Sequence, residues 1–235
     1  MIKCVIEKAG YGSNLIKVEN VEFELFPGQL IGLIGSNGAG KSTTLQAMMG
    51  VLPFVKGEFS IPDYGYVPER PIFYEYFTLW EHIDFYIRSQ EQEEEILQKR
   101  AWELLNLLKL DKVVHDLPST FSKGMQQKVM LLLAFLEEKP FYILDEPFMG
   151  LDPTATKLLL KFIEIEKKRG AAILISTHAL DTAEKICDSF ILLNEGTILK
   201  KGTLTSFREE LHNDSLGLLD IFDQFLAVGE VDDCL

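Results

Sequence analysis

The sequence is poor in cysteine and positive charge, and it has no long apolar segment. Its 235 residues include three cysteines, Cys4, Cys187 and Cys234, whose spacing matches neither a disulfide framework nor a metal site, as is typical of a reducing compartment. The longest apolar run, residues 129–136, is too short to cross a bilayer, and the first residues lack the apolar run of a signal peptide. We therefore expect a cytoplasmic protein that needs a partner if it works at a membrane.

Lysine and arginine are outnumbered by aspartate and glutamate, 23 to 36, which gives a net charge of −13. Because such a chain repels a phosphate backbone on average, nucleic acid is not an expected partner. After Arg208 the chain has eight carboxylates and no lysine or arginine. This stretch is interpreted either as a solvated tail or surface helix, or as a contact for a basic partner segment.

Strand and helix patterns alternate along most of the chain. Strands are predicted at residues 2–7, 21–26, 30–34, 59–61, 64–67, 141–145 and 171–177, and a hairpin at 189–202. Residues 79–139 form a helical lobe inserted in this frame, and one of its helices places Ile96, Leu97, Ala101, Leu104, Leu105 and Leu108 on one face. The alternation predicts an α/β fold with a mainly parallel sheet.

The segment GSNGAGKST matches a phosphate-binding loop, G-x-x-x-x-G-K-[ST], between a predicted strand and a predicted helix. Its glycines let several backbone N–H groups point at one phosphate chain. Lys41 is expected to bridge the β- and γ-phosphates and Ser42 to hold Mg²⁺. The predicted ATP-binding residues are Tyr11, Gly35, Ser36, Asn37, Gly38, Ala39, Gly40, Lys41, Ser42 and Thr43.

Two carboxylates, Asp145 and Glu146, end the buried strand FYILD, and His178 follows the strand AAILIST. At the carboxyl edge of a parallel sheet these side chains can reach one site. Asp145 is expected to hold Mg²⁺, Glu146 to act as the general base toward water, and His178 to contact the γ-phosphate. Tyr11, in a turn before the second strand, offers a flat face for adenine.

These motifs, in this order, resemble the nucleotide-binding subunit of ABC transporters over residues 5–202, and Ecs-type bacterial subunits in particular. The resemblance implies a P-loop NTPase of the ABC-ATPase fold, with a mainly parallel core, a small antiparallel β-subdomain and an inserted α-helical lobe. It divides the chain into an ATP-binding core with the β-subdomain (1–78), the signature lobe (79–139), the remainder of the core (140–203) and an acidic extension (204–235).

The resemblance also explains FSKGMQQ, which begins a second helix suited to an anion. In this family two subunits pair head to tail, so Ser122, Lys123, Gly124, Met125 and Gln126 would face the partner's ATP, with Asp152 at the seam. The implied partners are a second nucleotide-binding subunit and a membrane permease docking near residues 69–86, where seven aromatics cluster. The implied location is the cytoplasmic face of the membrane, and export is the implied direction.

Two positions depart from the family pattern. Lys123 replaces the first signature glycine, and Glu69 stands where a glutamine is usual. Glu69 retains an oxygen for Mg²⁺ but cannot donate an amide hydrogen bond. Lys123 either points to solvent or adds charge near the phosphate. Three readings stay open: an ATPase subunit with ATP and Mg²⁺ that drives a membrane partner, a soluble ABC-type ATPase of a regulatory or ribosome-associated complex, and a binding module that does not hydrolyse ATP.

Overall fold

The computed structural model describes residues 1–232; Asp233 and Cys234 lie outside the described residues. The strands are β1 (Ile2–Gly10), β2 (Ile16–Leu25), β3 (Leu30–Ile34), β4 (Phe54–Ser60), β5 (Tyr64–Val67), β6 (Phe141–Asp145), β7 (Ala172–Thr177), β8 (Ser189–Asn194) and β9 (Thr197–Gly202). The helices are α1 (Lys41–Met48), α2 (Leu79–Arg88), α3 (Glu94–Leu108), α4 (Lys123–Ala134), α5 (Pro153–Arg169), α6 (Leu180–Ile186), α7 (Leu204–Glu210) and α8 (Leu218–Asp232).

A six-stranded sheet forms the centre of the molecule. Its order is β5-β6-β7-β3-β8-β9, in which the first five strands are parallel and β9 returns antiparallel to β8. Strands β3, β6 and β7 are buried along their whole length, as expected for parallel strands covered on both faces. The predicted α/β class is confirmed, and the carboxyl ends of the parallel strands meet at one edge.

A three-stranded antiparallel sheet, in the order β2-β1-β4, packs over the central sheet. Apolar side chains of β1 and β2 form one core with residues of β3, β6 and α1. Along β2 the inward residues alternate with exposed ones, because successive side chains of a strand point to opposite faces. This is the expected antiparallel subdomain, built largely from the first 25 residues.

Helices α2, α3 and α4 form the helical lobe. A capping box begins α2, in which Thr78 and Glu81 satisfy each other's backbone N–H groups. The predicted face of α3 is buried at Leu97, Ala101, Leu104, Leu105 and Leu108. Ile96 is an exception, since half of it is exposed at the first turn of the helix, so its assignment to that face was wrong. The exact domain boundaries stay a prediction.

The acidic C-terminal segment is a surface-helix pair, one of the two forms expected for its solvated reading: the carboxylates of residues 209–223 are exposed, while the apolar side chains of α7 and α8 pack on the core. Phe207 of α7 and Leu218, Ile221, Phe222 and Phe225 of α8 form a small core with Phe190 of β8 and Ala183 of α6. Glu184 of α6 accepts a hydrogen bond from the Leu218 N–H (2.7 Å) and pairs with Arg208 (3.4 Å). No helix within residues 1–232 combines the length and the apolar content that crossing a bilayer requires.

Candidate active site

The phosphate-binding loop connects β3 to α1, and its glycines are required by space and by backbone angle. A Cβ on Gly35 would lie 2.6 Å from the Leu193 carbonyl oxygen, which leaves no room for a side chain. Gly38 and Gly40 have φ values of +87° and +102°, which residues with a Cβ rarely adopt. The loop therefore curls over the start of α1, where N–H groups are free to bind an anion.

A pocket of about 610 Å³ lies over this loop at the carboxyl edge of the central sheet. The predicted residues that line it are Tyr11, Asn37, Gly38, Gly40, Lys41, Ser42, Thr43, Glu69, Glu146 and His178. Gly35 and Ala39 are buried beneath the loop, and Ser36 is exposed on it. Tyr11 is half exposed, and its hydroxyl lies 3.5 Å from Gln46 Oε1, which leaves the ring face open to the pocket.

Glu146 occupies the centre of a chain of polar contacts. Its Oε2 lies 2.9 Å from His178 Nδ1, and the His178 backbone N–H donates to the same oxygen at 3.3 Å. Its Oε1 lies 4.0 Å from Lys41 Nζ, which itself donates to the carbonyl oxygens of Gly35 (2.8 Å) and Ser36 (3.2 Å). The strand ends therefore bring a carboxylate, a histidine and a lysine together in one site.

The backbone at Glu146 is unusual, since its φ is +48° in a residue that is not glycine. Its N–H donates to the Ser176 carbonyl oxygen of β7 at 3.0 Å, which holds this left-handed turn immediately after β6. Left-handed residues of this kind cluster at functional sites, where surrounding contacts maintain the strain. The turn lets two adjacent carboxylates, Asp145 and Glu146, both serve the same edge of the sheet.

Asp145 is buried and accepts a hydrogen bond from Ser176 Oγ. Burial raises the pKa of this carboxyl, and the nearby charges of Glu69 and Glu146 add to the rise, whereas the hydroxyls of Ser176 and Ser42 lower it because they stabilise the ionised form. Carboxylate and hydroxyl oxygens crowded in this way are the donors that Mg²⁺ prefers. Among residues 1–232 no three His, Cys, Asp or Glu side chains lie together as a group that could hold a metal ion.

The signature residues lie at the start of α4 and do not line this pocket. Ser122 caps the helix by accepting the Met125 N–H at 3.3 Å, and both Ser122 and Lys123 are exposed. The Gln126 side chain donates to the Pro118 carbonyl oxygen at 3.0 Å, and Met125 packs against the lobe core. Ser122, Lys123 and the backbone N–H groups of Lys123 and Gly124, which precede the first bonded N–H groups of the helix, are therefore the parts of the signature that can meet a ligand.

The signature helix is tied to the loop that contains Asp152. A Cβ on Gly124 would lie 2.7 Å from the Gly150 carbonyl oxygen. Lys128 Nζ contacts Asp152 Oδ2 at 2.8 Å, while Asp152 Oδ1 caps α5 by accepting the Ala155 N–H, also at 2.8 Å. These contacts lower the pKa of the Asp152 carboxyl, Lys128 having the largest effect. The start of α4 and the loop before α5 therefore lie in direct contact.

Sequence reasoning missed two pocket residues, Lys17 and Met149. Met149 follows the strand-end carboxylates by three residues and could have been found from their position. Lys17 lies in β2 as one exposed strand residue among several, and no local pattern distinguishes it. Its presence in the site depends on how β2 packs against the phosphate-binding loop, which is tertiary information.

Comparison with known proteins gives consistent matches. The model of the family described as ABC transporter matches residues 18–149. The chain is 46% identical to the ABC transporter ATP-binding protein YthP of Bacillus subtilis (strain 168), over 94% of this chain and 95% of that protein. It is 41% identical to the ABC-type transporter ATP-binding protein EcsA of the same organism, over 91% of each. A solved ATP binding subunit of an ABC transporter superposes with a TM-score of 0.90 at 37% identity, covering 96% of this chain and 99% of that one.

Proposed function

The chain belongs to the ABC transporter ATP-binding family of ATPases, and we propose that it powers a separate membrane-spanning subunit through ATP-driven pairing of two nucleotide-binding subunits. The proposal rests on one observation: the two parts expected to enclose one ATP, the phosphate pocket and the signature, lie apart in a single chain. Lys41, Glu146 and His178 share one pocket, whereas Ser122 and the start of α4 lie outside it. A second subunit would supply the missing half.

Each pocket residue then has a defined role. Loop N–H groups and Lys41 bind the β- and γ-phosphates, and the ring of Tyr11 stacks on adenine. Glu146 accepts a proton from the attacking water, and His178 holds the Glu146 carboxylate through Nδ1 and reaches the terminal phosphate. Because Lys41 lies near one oxygen of the Glu146 carboxylate and His178 contacts the other, the carboxylate stays oriented toward the reacting phosphate.

The residues present also fit Mg²⁺. Ser42 and Asp145 would hold it, with Glu69 as a further oxygen ligand at the pocket wall. The ion supplies charge neutralisation for the phosphate oxygens when bound. Glu69 lines the same pocket, and its carboxylate adds negative charge near Asp145 and Glu146.

The pairing of two subunits explains the geometry of the signature. Ser122 and the first N–H groups of α4 present positive potential to an anion, and Asp152 lies on the loop tied to that helix. Two copies arranged head to tail would place each signature on the other's terminal phosphate. Binding of ATP then joins the subunits, and hydrolysis removes the shared contact and releases them.

The proposed partner in the membrane is a permease that inserts a short cytoplasmic helix into an aromatic groove of about 370 Å³ beside α2. Ile72, Tyr74 and Phe85 are more than half exposed there, while Phe73, Trp80 and Tyr86 pack against the lobe core. His82 is buried and fixes the groove, because its Nε2 accepts the Tyr74 N–H at 2.9 Å and its Nδ1 donates to the Thr78 carbonyl oxygen at 2.8 Å. An exposed apolar groove with a fixed wall suits an amphipathic helix.

We infer from this arrangement that the chain acts at the cytoplasmic face of the membrane. Export is the proposed direction, supported by the SKGM and YVPE variants, which resemble those of exporter-type bacterial subunits. The competing view of a binding module without hydrolysis is not favoured, because Glu146 lies 2.9 Å from His178 Nδ1 and 4.0 Å from Lys41 Nζ in one pocket.

The test uses Glu146→Gln in the full chain, with Glu138→Gln as a control at an exposed carboxylate outside the pocket. Removing a general base lowers turnover by about 100-fold or more, while ATP binding persists. Light scattering after gel filtration should show an ATP-dependent dimer of Glu146→Gln, whereas Glu138→Gln should match wild type in turnover. The proposal fails if Glu146→Gln hydrolyses ATP at the wild-type rate, or binds ATP and stays monomeric at high concentration.

A further inference from the structure

We propose that Lys17 is a nucleotide-binding residue that contacts the α-phosphate, the phosphate between the adenine platform and the phosphate-binding loop. The proposal rests on the proposed ATP-binding function and adds to it a second cation in the pocket. Lys17 lines the same pocket as Tyr11 and Lys41, and it lies on β2, immediately after the turn that contains Tyr11.

The backbone at Lys17 is fixed against the phosphate-binding loop. Gly196, in the turn between β8 and β9, donates its N–H to the Ala39 carbonyl oxygen (3.0 Å) and accepts the Glu19 N–H (2.9 Å). A Cβ on Gly196 would lie 2.1 Å from the Lys17 carbonyl oxygen, and a Cβ on Gly40 would lie 3.5 Å from it. Lys17 is therefore held within van der Waals distance of the loop's last glycine.

The direction of the side chain follows from strand geometry. Val18 is fully buried, and its Cγ2 would lie 3.1 Å from a Cβ on Gly40, whereas Lys17 is exposed on the other face of β2 and also lines the pocket. The same end of β1 and β2 carries Tyr11, whose N–H donates to the Leu15 carbonyl oxygen at 3.1 Å. With adenine on Tyr11 and the terminal phosphates at Lys41, the α-phosphate lies between, next to Lys17.

Lys17 also has its charge available. Glu19, two residues along on the same face of β2, is engaged with Lys8 at 3.5 Å across the strand pair. Among the side chains that the structure describes, none forms an ion pair or a hydrogen bond with the Lys17 ammonium. By contrast, Lys41 Nζ donates to two loop carbonyls and faces Glu146. An ammonium without a partner in a phosphate pocket is suited to bind an anion.

The experiment compares Lys17→Met with wild type for four ligands: adenosine, AMP, ADP and a non-hydrolysable ATP analogue, each competing with a fluorescent nucleotide. Lys56→Met is the matched control, because Lys56 is an exposed lysine of the same antiparallel sheet outside the pocket. Loss of one charged contact should raise the Kd of AMP, ADP and the ATP analogue by the same factor, about tenfold, and leave adenosine unchanged. Lys17→Arg should restore binding, and the difference should shrink at high salt.

Other outcomes overturn the assignment. An unchanged Kd for all ligands removes Lys17 from the site, and a loss confined to the ATP analogue moves its contact to the γ-phosphate. An equal loss for adenosine shows that Lys17 acts through the base or the packing of β2. If the wild-type chain binds none of the four ligands, the ATP-binding function fails as well, which separates that failure from a failure of Lys17 alone.

Discussion

Replacing Gly124 with alanine tests whether the signature helix must lie directly against the loop before α5. The added Cβ would stand 2.7 Å from the Gly150 carbonyl oxygen, and ordinary contact begins at 3.4 Å, so one segment has to move by about 0.7 Å. Overpacking of this kind lowers the free energy of unfolding by about 1–3 kcal/mol. Alanine offsets about 0.4–1 kcal/mol of that loss, because it reduces the conformational entropy of the unfolded chain. The net loss is about 0–2.6 kcal/mol, so at about 2–4 °C per kcal/mol for a chain of this size we expect Tm to fall by at most roughly 10 °C.

The larger effect should be on turnover. A displacement approaching 1 Å in a positioning segment can reduce rates by about tenfold to a hundredfold. Because Gly124 does not line the nucleotide pocket, ATP affinity measured on the monomer should stay at the wild-type value. Gly217→Ala serves as the control, since its Cβ meets only ordinary contacts at the start of α8. Wild-type turnover in Gly124→Ala, or a parallel loss of ATP affinity, would refute the reasoning.

Two further predictions concern the partner groove and the ion pair beside the signature. A photo-cross-linking residue in place of Phe85 should capture an integral membrane protein from intact membranes. The same residue in place of Leu219, which is about equally exposed on α8, should not. Equal capture at both positions would contradict the proposal that the groove binds the membrane partner. Lys128→Met should raise the pKa of Asp152 toward its ordinary value, measured by carbon-detected NMR, because Lys128 holds it low. A carboxyl whose pKa is lower in the folded than in the unfolded state stabilises the fold above its unfolded-state pKa, and this stabilisation is lost as pH falls through its folded-state pKa. Lys128→Met removes the main cause of the low Asp152 pKa. The variant should therefore be less stable than wild type at pH 7, and its stability should decline less in acid. An unchanged pKa would show that the Ala155 N–H alone sets it.

The parts of the site that the sequence predicts are those fixed by local geometry. The phosphate-binding loop is one continuous segment of nine residues that contains its own glycines and lysine, so it can be recognised from the sequence without knowledge of the fold. Asp145, Glu146 and His178 could be placed together because carboxyl ends of parallel strands share an edge, and the order of β6, β7 and β3 brings them there.

What the sequence could not predict depends on long-range packing. Strand β4 begins at Phe54, five residues before the predicted start, because it pairs with the whole of β1 although its own residues show no alternation. Lys17 enters the pocket through the contact of β2 with Gly196. The left-handed turn at Glu146 arises from a hydrogen bond to Ser176, and nothing in the string ILDE indicates it.

The packing of α8 has a mechanical consequence for the histidine of the site. Helix α6 starts two residues after His178, and Glu184 on that helix anchors it to both Arg208 and Leu218. The segment that follows His178 is therefore supported by the acidic C-terminal helices α7 and α8. A deletion, a tag or a ligand that weakens the contacts of Glu184 with Arg208 and Leu218 should therefore also weaken the contact between the His178 imidazole and Glu146.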